Sequence, residues 1–517
     1  MAERNSIMSY PDVKINFQPE IPTLIKIKEK TQVDVRYCLI EPFAFAHVYW
    51  DSKISEMVYD IEEPTLNPSE QKQREILTEA IRSVVNISGI IEGGQEVIIK
   101  YLNDRFRVLA VEVGLDINYE SYQKIFYYLC RDFIGFNEVE PLLRDYYVED
   151  IECNGADTPI YIVHREYRNL RTNVEFDDNE QLASFVEKLA QRSGKYISYA
   201  NPILDATLPD GSRINATYTQ DITSRGPTFT VRKFTKTPWT PTQLLSFKTL
   251  SPEMLAYLWL LVEHKMNILI SGGTASGKTT LLNAMAFFIP PEARVVSIED
   301  TREINIPREN WLPSVVRTST KNNKSGEITL FDLLKNSFRQ TPDYVIVGEV
   351  RGKEAYVLFQ GMASGHSSIS TIHADSVDSV IKRLETPPIE LSPTLLNVLD
   401  CVCIMTHAIV NKKETRKLKE ITEIINVSGE GVANTNTPFV WNPANDTFYF
   451  KKNSKIFEKI GYRFGIPADK LQEEFRRRSE LLFRMQGKNV FGFEEVQTAI
   501  NEYYKNPEKI LQKFGIK

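Results

Sequence analysis

The chain has 517 residues, 42% hydrophobic and 25% charged, which is globular composition and too long for a single core, so two or three domains are expected. Its net charge of −6 offers no overall attraction to nucleic acid or anionic lipid, and its five cysteines, Cys38, Cys130, Cys153, Cys401 and Cys403, lack the CxxC spacing of a zinc knuckle and suggest no disulfide framework. The longest apolar stretch, around Met254 to Val262, falls far short of the roughly 20 residues that span a bilayer, and no signal-peptide pattern opens the chain. A reducing, cytosolic setting is expected, with any membrane role carried by a partner.

Residues 1–70 read as a loosely held arm followed by a small β-rich region, where "VDVRYCLIEPFAFAHVYW" suggests a strand pair broken at Pro42. "IEEPTLNPSEQ", with two prolines, suggests a first boundary. Helical spacing in "REILTEAIRSVVNI", "YQKIFYYLCRDFIGF" and "EQLASFVEKLAQRSGK", with short strands between Ile151 and Phe176, makes residues 71–234 a mixed α/β lobe. "TKTPWTPTQ", residues 235–243, carries two X-Pro steps that favour extended backbone and reads as an interdomain linker. From 244 to 407 strands and helices alternate. Ser251 and Pro252 open a helix, and "MNILI", "ARVVSI", "YVIV" and "SISTI" are strands separated by helices, the pattern of a mostly parallel sheet covered by helices. Residues 408–517 read as a small C-terminal appendage.

"SGGTASGKTTLL" fits G-x-x-x-x-G-K-[ST] after a strand and before a helix, the context a phosphate-binding loop requires. The cradle runs through Gly272, Gly273, Thr274, Ala275, Ser276, Gly277, Lys278, Thr279 and Thr280. Its amides and the helix dipole suit a nucleoside triphosphate, Lys278 reaches the terminal phosphates, and Thr279 ligates Mg²⁺. Hydrolysis also needs a group that activates water, and two strand ends supply acids: Glu299 with Asp300, and Glu349. His366 and His373 bracket "SSISTI". Seven residues apart on an extended strand they point to opposite faces and make a poor metal pair, but either suits a γ-phosphate sensor or a structural role.

"GGTASGKTT", "SIEDTREI", "PDYVIVGEVRGKEA" and "ASGHSSISTIHAD" resemble, in order and spacing, the Walker A, aspartate, Walker B and histidine boxes of the type II and type IV secretion ATPases. The likeness extends upstream through "EPLLRDYYVEDIECNG", "ANPILDATLPDGSRINATY" and "FTVRKF", covering about Gly135 to His407. It implies a RecA-like P-loop core behind a mixed α/β lobe, in a homo-hexameric motor that hydrolyses ATP with Mg²⁺. Such a motor pushes on a polytopic membrane platform protein, extracts pilin-like subunits and works at the inner face of the cell membrane. Thr301 after "ED" and the missing four-cysteine zinc insertion depart from the usual bacterial pattern, and "LPDGSR" and "TVRKF" resemble the archaeal archaellum and pilus motors. The resemblance assigns water activation and magnesium binding to Glu299 and Glu349, with Glu299 favoured as base and Asp300 beside the metal. It gives Arg213, Arg225 and Arg232 to the basic set that the N-terminal lobe directs at the nucleotide. A P-loop nucleic-acid translocase is the alternative, disfavoured because no basic run with interleaved aromatics stands out.

Overall fold

A computed structural model of the protein describes residues 10–22, 24, 29–84, 95–234, 237–317, 326–410, 413–429, 432–451 and 453–516. The first nine residues of the expected arm, and residues 235 and 236 of the expected linker, lie outside them. The chain divides between Phe234 and Thr235 into two compact units.

In the first unit nine strands form one sheet: β1 (Asp34–Ile40), β2 (Ala44–Asp51), β3 (Glu56–Glu62), β4 (Val148–Cys153), β5 (Tyr161–His164), β6 (Arg168–Thr172), β7 (Ile203–Thr207), β8 (Arg213–Thr217) and β9 (Thr228–Arg232). Their order is β1-β2-β3-β6-β5-β4-β9-β8-β7, antiparallel except where β3 meets β6. Alternating burial along β7, β8 and β9 gives the sheet one core face and one solvated face. Helices α1 (Pro68–Val84), α2 (Gln95–Glu112), α3 (Tyr119–Phe133), α4 (Glu140–Arg144) and α5 (Asn179–Arg192) complete the unit. No break falls near residue 70. The Pro-rich segment there is held on both sides, since Glu63 accepts from Tyr127 and Arg131 of α3, and Asn67 exchanges hydrogen bonds with Glu70 at the start of α1.

The second unit is built on another nine-stranded sheet: β10 (Ile268–Gly272), β11 (Val295–Glu299), β12 (Trp311–Val315), β13 (Tyr344–Val347), β14 (Ser367–Ile372), β15 (Cys401–Val410), β16 (Lys413–Val427), β17 (Ala433–Asn442) and β18 (Thr447–Phe450). The order is β12-β11-β13-β14-β10-β15-β16-β17-β18, parallel as far as β15 and antiparallel beyond. This is the RecA-like P-loop arrangement. The parallel strands are buried on both faces, as their unbroken apolar runs require: Ile268 and Ile270 enter one core and Leu269 the opposite one.

Helices α6 (Pro241–Ser246), α7 (Pro252–Glu263) and α8 (Lys278–Ala286) precede β11. They are followed by α9 (Leu330–Ser337), α10 (Glu354–Ala363), α11 (Val377–Glu385), α12 (Pro393–Leu396), α13 (Lys455–Phe464), α14 (Ala468–Gly487), α15 (Phe493–Lys505) and α16 (Pro507–Lys513). The end of the expected linker is therefore helical: Thr240 caps α6 through a reciprocal bond pair with Gln243, and Pro241 sits at the first turn, where its missing N–H costs nothing. Residues past 408 form no separate appendage. Strands β16 to β18 continue the same sheet, and the last helices share the apolar core of α7, with Arg478 bridging Glu263 at 2.5 Å and Trp259 donating to Tyr504 at 2.8 Å. Among the described residues no helix is long and apolar enough to cross a membrane.

Candidate nucleotide site

Parallel pairing aligns the carboxyl ends of β11, β13, β14 and β10 along one edge of the second unit, and the chemistry-bearing residues collect there. At Gly272 a Cβ would lie 2.4 Å from the Met405 carbonyl oxygen and 2.5 Å from Ser276 Oγ, so only glycine lets the loop turn back against β15. Ala275 at φ +56° and Gly277 at φ +95° place left-handed residues within the loop, which turns successive amides toward a common concavity. Gly277 caps α8 without any side-chain acceptor, leaving the first-turn amides to the loop's interior. A phosphate chain fits this cradle. Thr274 is exposed, and Thr279 and Thr280 are half-buried in the first turn of α8. Lys278, only 9% exposed, donates to the carbonyls of Gly273 at 2.9 Å and Gly272 at 3.1 Å. Burial lowers its pKa, against the opposing pull of Glu349 and Glu303.

The two glutamates sit in different surroundings. Glu299 is 1% exposed, and one carboxylate oxygen accepts from the amides of Glu303 and Ile304, both at 2.8 Å. Its Oε2 is buried with no hydrogen-bond partner. Burial pushes its pKa up to about 8 in spite of the two amides. Glu349 is also partly desolvated, yet a 2.6 Å bond from Arg351 and the charges of His373 and Lys278 hold it below the usual carboxylate range. Arg351 Nη1 further lies 3.9 Å from Asp300 Oδ2, so one guanidinium spans the ends of β11 and β13. Asp300 itself is exposed.

His373 Nε2 stands 3.4 Å from Lys278 Nζ and 4.0 Å from Glu349 Oε1, within the cluster. His366 does not join it. It lies at the other end of β14, roughly 20 Å away by strand length, with Nδ1 3.3 Å from the Gly361 carbonyl and its ring against Phe338. Arg213, Arg225 and Arg232 belong to the first unit. Arg213 and Arg232 are direct partners across β8 and β9 on the solvated face, flanked by Asp205 at 2.9 Å and Asp150 at 3.9 Å, and Arg225 is exposed in the turn before β9.

Two residues in contact with the cluster or its loop lie outside the sequence reading. Arg351 was visible only as a charge, its partners being set by strand register. Asn283, a buried asparagine in the apolar run "LLNAMAFF", was the available signal for the second, because a polar side chain inside such a helix needs a partner.

Residues 134–433 match the family model described as Type II/IV secretion system protein. The chain belongs to this family. A relative in Methanocaldococcus jannaschii, described as uncharacterised, is 34% identical over 97% of this chain and 93% of its own length. The type IV secretion system protein PtlH of Bordetella pertussis is 33% identical over 35% of this chain and 60% of its own. The VirB11 ATPase of the Brucella suis type IV secretion system is similar at 25% identity over 55% of this chain and 92% of that one, with a TM-score of 0.28. Membership of the secretion family covers the second unit's parallel sheet and the β4 to β9 part of the first.

Proposed function

We propose that this member of the type II/IV secretion family is a cytoplasmic P-loop motor that hydrolyses ATP to ADP and phosphate. The observation that carries the reading is the pair of acids with opposite pKa shifts on neighbouring strand ends beside Lys278. Separated environments of this kind assign separate roles. Glu299, buried and poised near neutral pH, acts as general base toward the attacking water. Glu349, kept ionised, helps Thr279 hold Mg²⁺, with Asp300 alongside. When bound, Mg²⁺ supplies charge neutralisation on the phosphates. The loop amides and Lys278 bind and orient the triphosphate, and His373 contacts the terminal phosphate from beside Lys278.

In this reading the motor is a homo-hexamer, peripheral at the inner membrane face through a polytopic platform protein. It drives assembly of a type IV pilus-like filament, an archaellum or adhesive pilus, or type II-like secretion. The Methanocaldococcus relative supports the archaeal branch. Arg213, Arg225 and Arg232 of the first unit supply charge to the nucleotide, and a planar, always ionised guanidinium suits that task. Lys278→Ala is expected to abolish ATP binding. Glu299→Gln should bind ATP with near-normal affinity and lose turnover by about 100-fold or more. Wild-type turnover in both proteins would overturn the site. Deletion of the gene should remove a class of surface filaments under electron microscopy or block secretion, and unchanged filaments, motility and secretion would overturn the cellular role.

A further inference from the structure

Between Glu299 and Trp311 the chain has no regular structure until β12 begins, yet it carries the amides that hold the candidate base. Something must fix that backbone. Ile304 and Ile306 anchor it in the core by their side chains. Asn283 engages the peptide planes around Ile304. Its Nδ2 donates to the Glu303 carbonyl at 3.2 Å, and its Oδ1 accepts from the Asn305 amide at 3.0 Å. Both ends of one side-chain amide thus clasp the peptide units on either side of Ile304, whose own N–H points at Glu299 Oε1. Asn283 is 4% exposed and lies five residues beyond Lys278 on the same helix, about 7.5 Å along its axis.

We propose that Asn283 is a positioning residue for hydrolysis: by clasping Glu303 and Asn305 it fixes the turn that immobilises one oxygen of Glu299. The inference rests on the reading of Glu299 as general base. It ties the acid's geometry to the helix that begins in the phosphate loop, so the group that activates water and the groups that hold phosphate share one rigid element. Misplacing a catalytic group by an ångström costs turnover without costing affinity.

The test uses the full chain. Asn283→Ala and the milder Asn283→Ser, which keeps a hydroxyl in the helix, are compared with wild type for binding of a fluorescent ATP analogue and for single-turnover phosphate release. Each is also made in the Glu299→Gln background. Asn283→Ala should leave the analogue's Kd within about twofold and lower kcat roughly 10-fold to 100-fold, with Asn283→Ser between it and wild type. Because the residue acts through Glu299, neither substitution should reduce the residual turnover of Glu299→Gln any further. A wild-type kcat in the Asn283 variants, or the same fold-loss in both backgrounds, overturns the positioning role while leaving Glu299 as base. Wild-type turnover in Glu299→Gln overturns the base assignment itself and the inference with it. If Asn283→Ala does not fold, Asn283→Ser is read by the same criteria.

Discussion

A methyl group at position 348 would sit 3.1 Å from Glu299 Cγ, which explains why the strand "YVIVG" ends in glycine where an ordinary Walker B strand would carry an aspartate. The methylene stem of Glu299 on the neighbouring strand takes up that space. Gly348→Ala is expected to displace Glu299, lowering turnover at least tenfold while nucleotide affinity holds, for a stability loss of about 1–3 kcal/mol. Unchanged phosphate release in this variant would mean that Glu299 is not confined there. Arg351 makes a separate prediction. It is well exposed, so Arg351→Ala should shift thermal stability little. Without it Glu349 loses the strongest group holding its pKa down, and its ionised form then requires a higher pH. Its carboxyl titration, followed by carbon-13 NMR, should move to higher pH, and an unmoved titration would detach Arg351 from Glu349. The phosphate loop was legible in the sequence because its chemistry is local, one turn of glycines and a lysine. The contrasting surroundings of the two acids were not, because they depend on what the strand register places beside each: two amides and a glycine for Glu299, and a guanidinium for Glu349.

At the scale of elements, periodicity found α1, α3 and α5 and the buried strands β10, β11, β13 and β14, but missed α2, β3, β7 to β9, β12, β15 and β17. "WLPSV" holds a proline that a central strand would exclude, and β12 is tolerated because it is the sheet's edge. β17 is rich in Asn and Thr, since its sheet position is fixed by long-range pairing with β16 and not by its own composition. The turn that reads as a linker illustrates the same limit: Thr240 and Thr242 are buried because they bond the Phe491 and Val490 carbonyls, 251 and 248 residues further on. Thr240→Ala should therefore cost about 1–2 kcal/mol, seen as a lower Tm.

The junction of β5 with β1 and β3 gives a pH prediction. His164 is buried with Nδ1 facing the amides of Glu166 and Tyr167, and Nε2 lies 3.2 Å from Tyr37 Oη, which with Tyr59 donates to Asp145. A second proton would point at two N–H groups, and burial lowers the pKa to about 4 from 6.5. Above pH 6.5 the folded and unfolded chains are both neutral at this site. As pH falls toward 4 only the unfolded chain gains the proton, so stability should drop by about 3 kcal/mol, complete below that pH. His164→Gln should flatten the slope of urea midpoints between pH 7 and 4, and an identical slope would refute the assignment.

For the molecule as a whole, the second unit supplies the cradle, both acids and His373, whereas the arginines assigned to the nucleotide come from the first. Arg213 and Arg232 face each other across β8 and β9 as like charges, a pairing that by itself costs stability in a sheet. Asp205 and Asp150 offset part of that cost, but the two arginine side chains remain 45% and 67% exposed. Exposed ion pairs of this kind contribute under about 1 kcal/mol. If they serve only the sheet, Arg213→Ala and Arg232→Ala should leave turnover untouched. If they serve the nucleotide as proposed, each should lower kcat by about 100-fold or more with little change in Tm, since the charge they supply is used on the phosphates and not in the fold. ATP-analogue binding should stay within about threefold, because the cradle and Lys278 belong to the other unit. Phosphate-release rates paired with Tm for the two variants decide between these outcomes. Wild-type kcat in both would remove Arg213 and Arg232 from the chemistry.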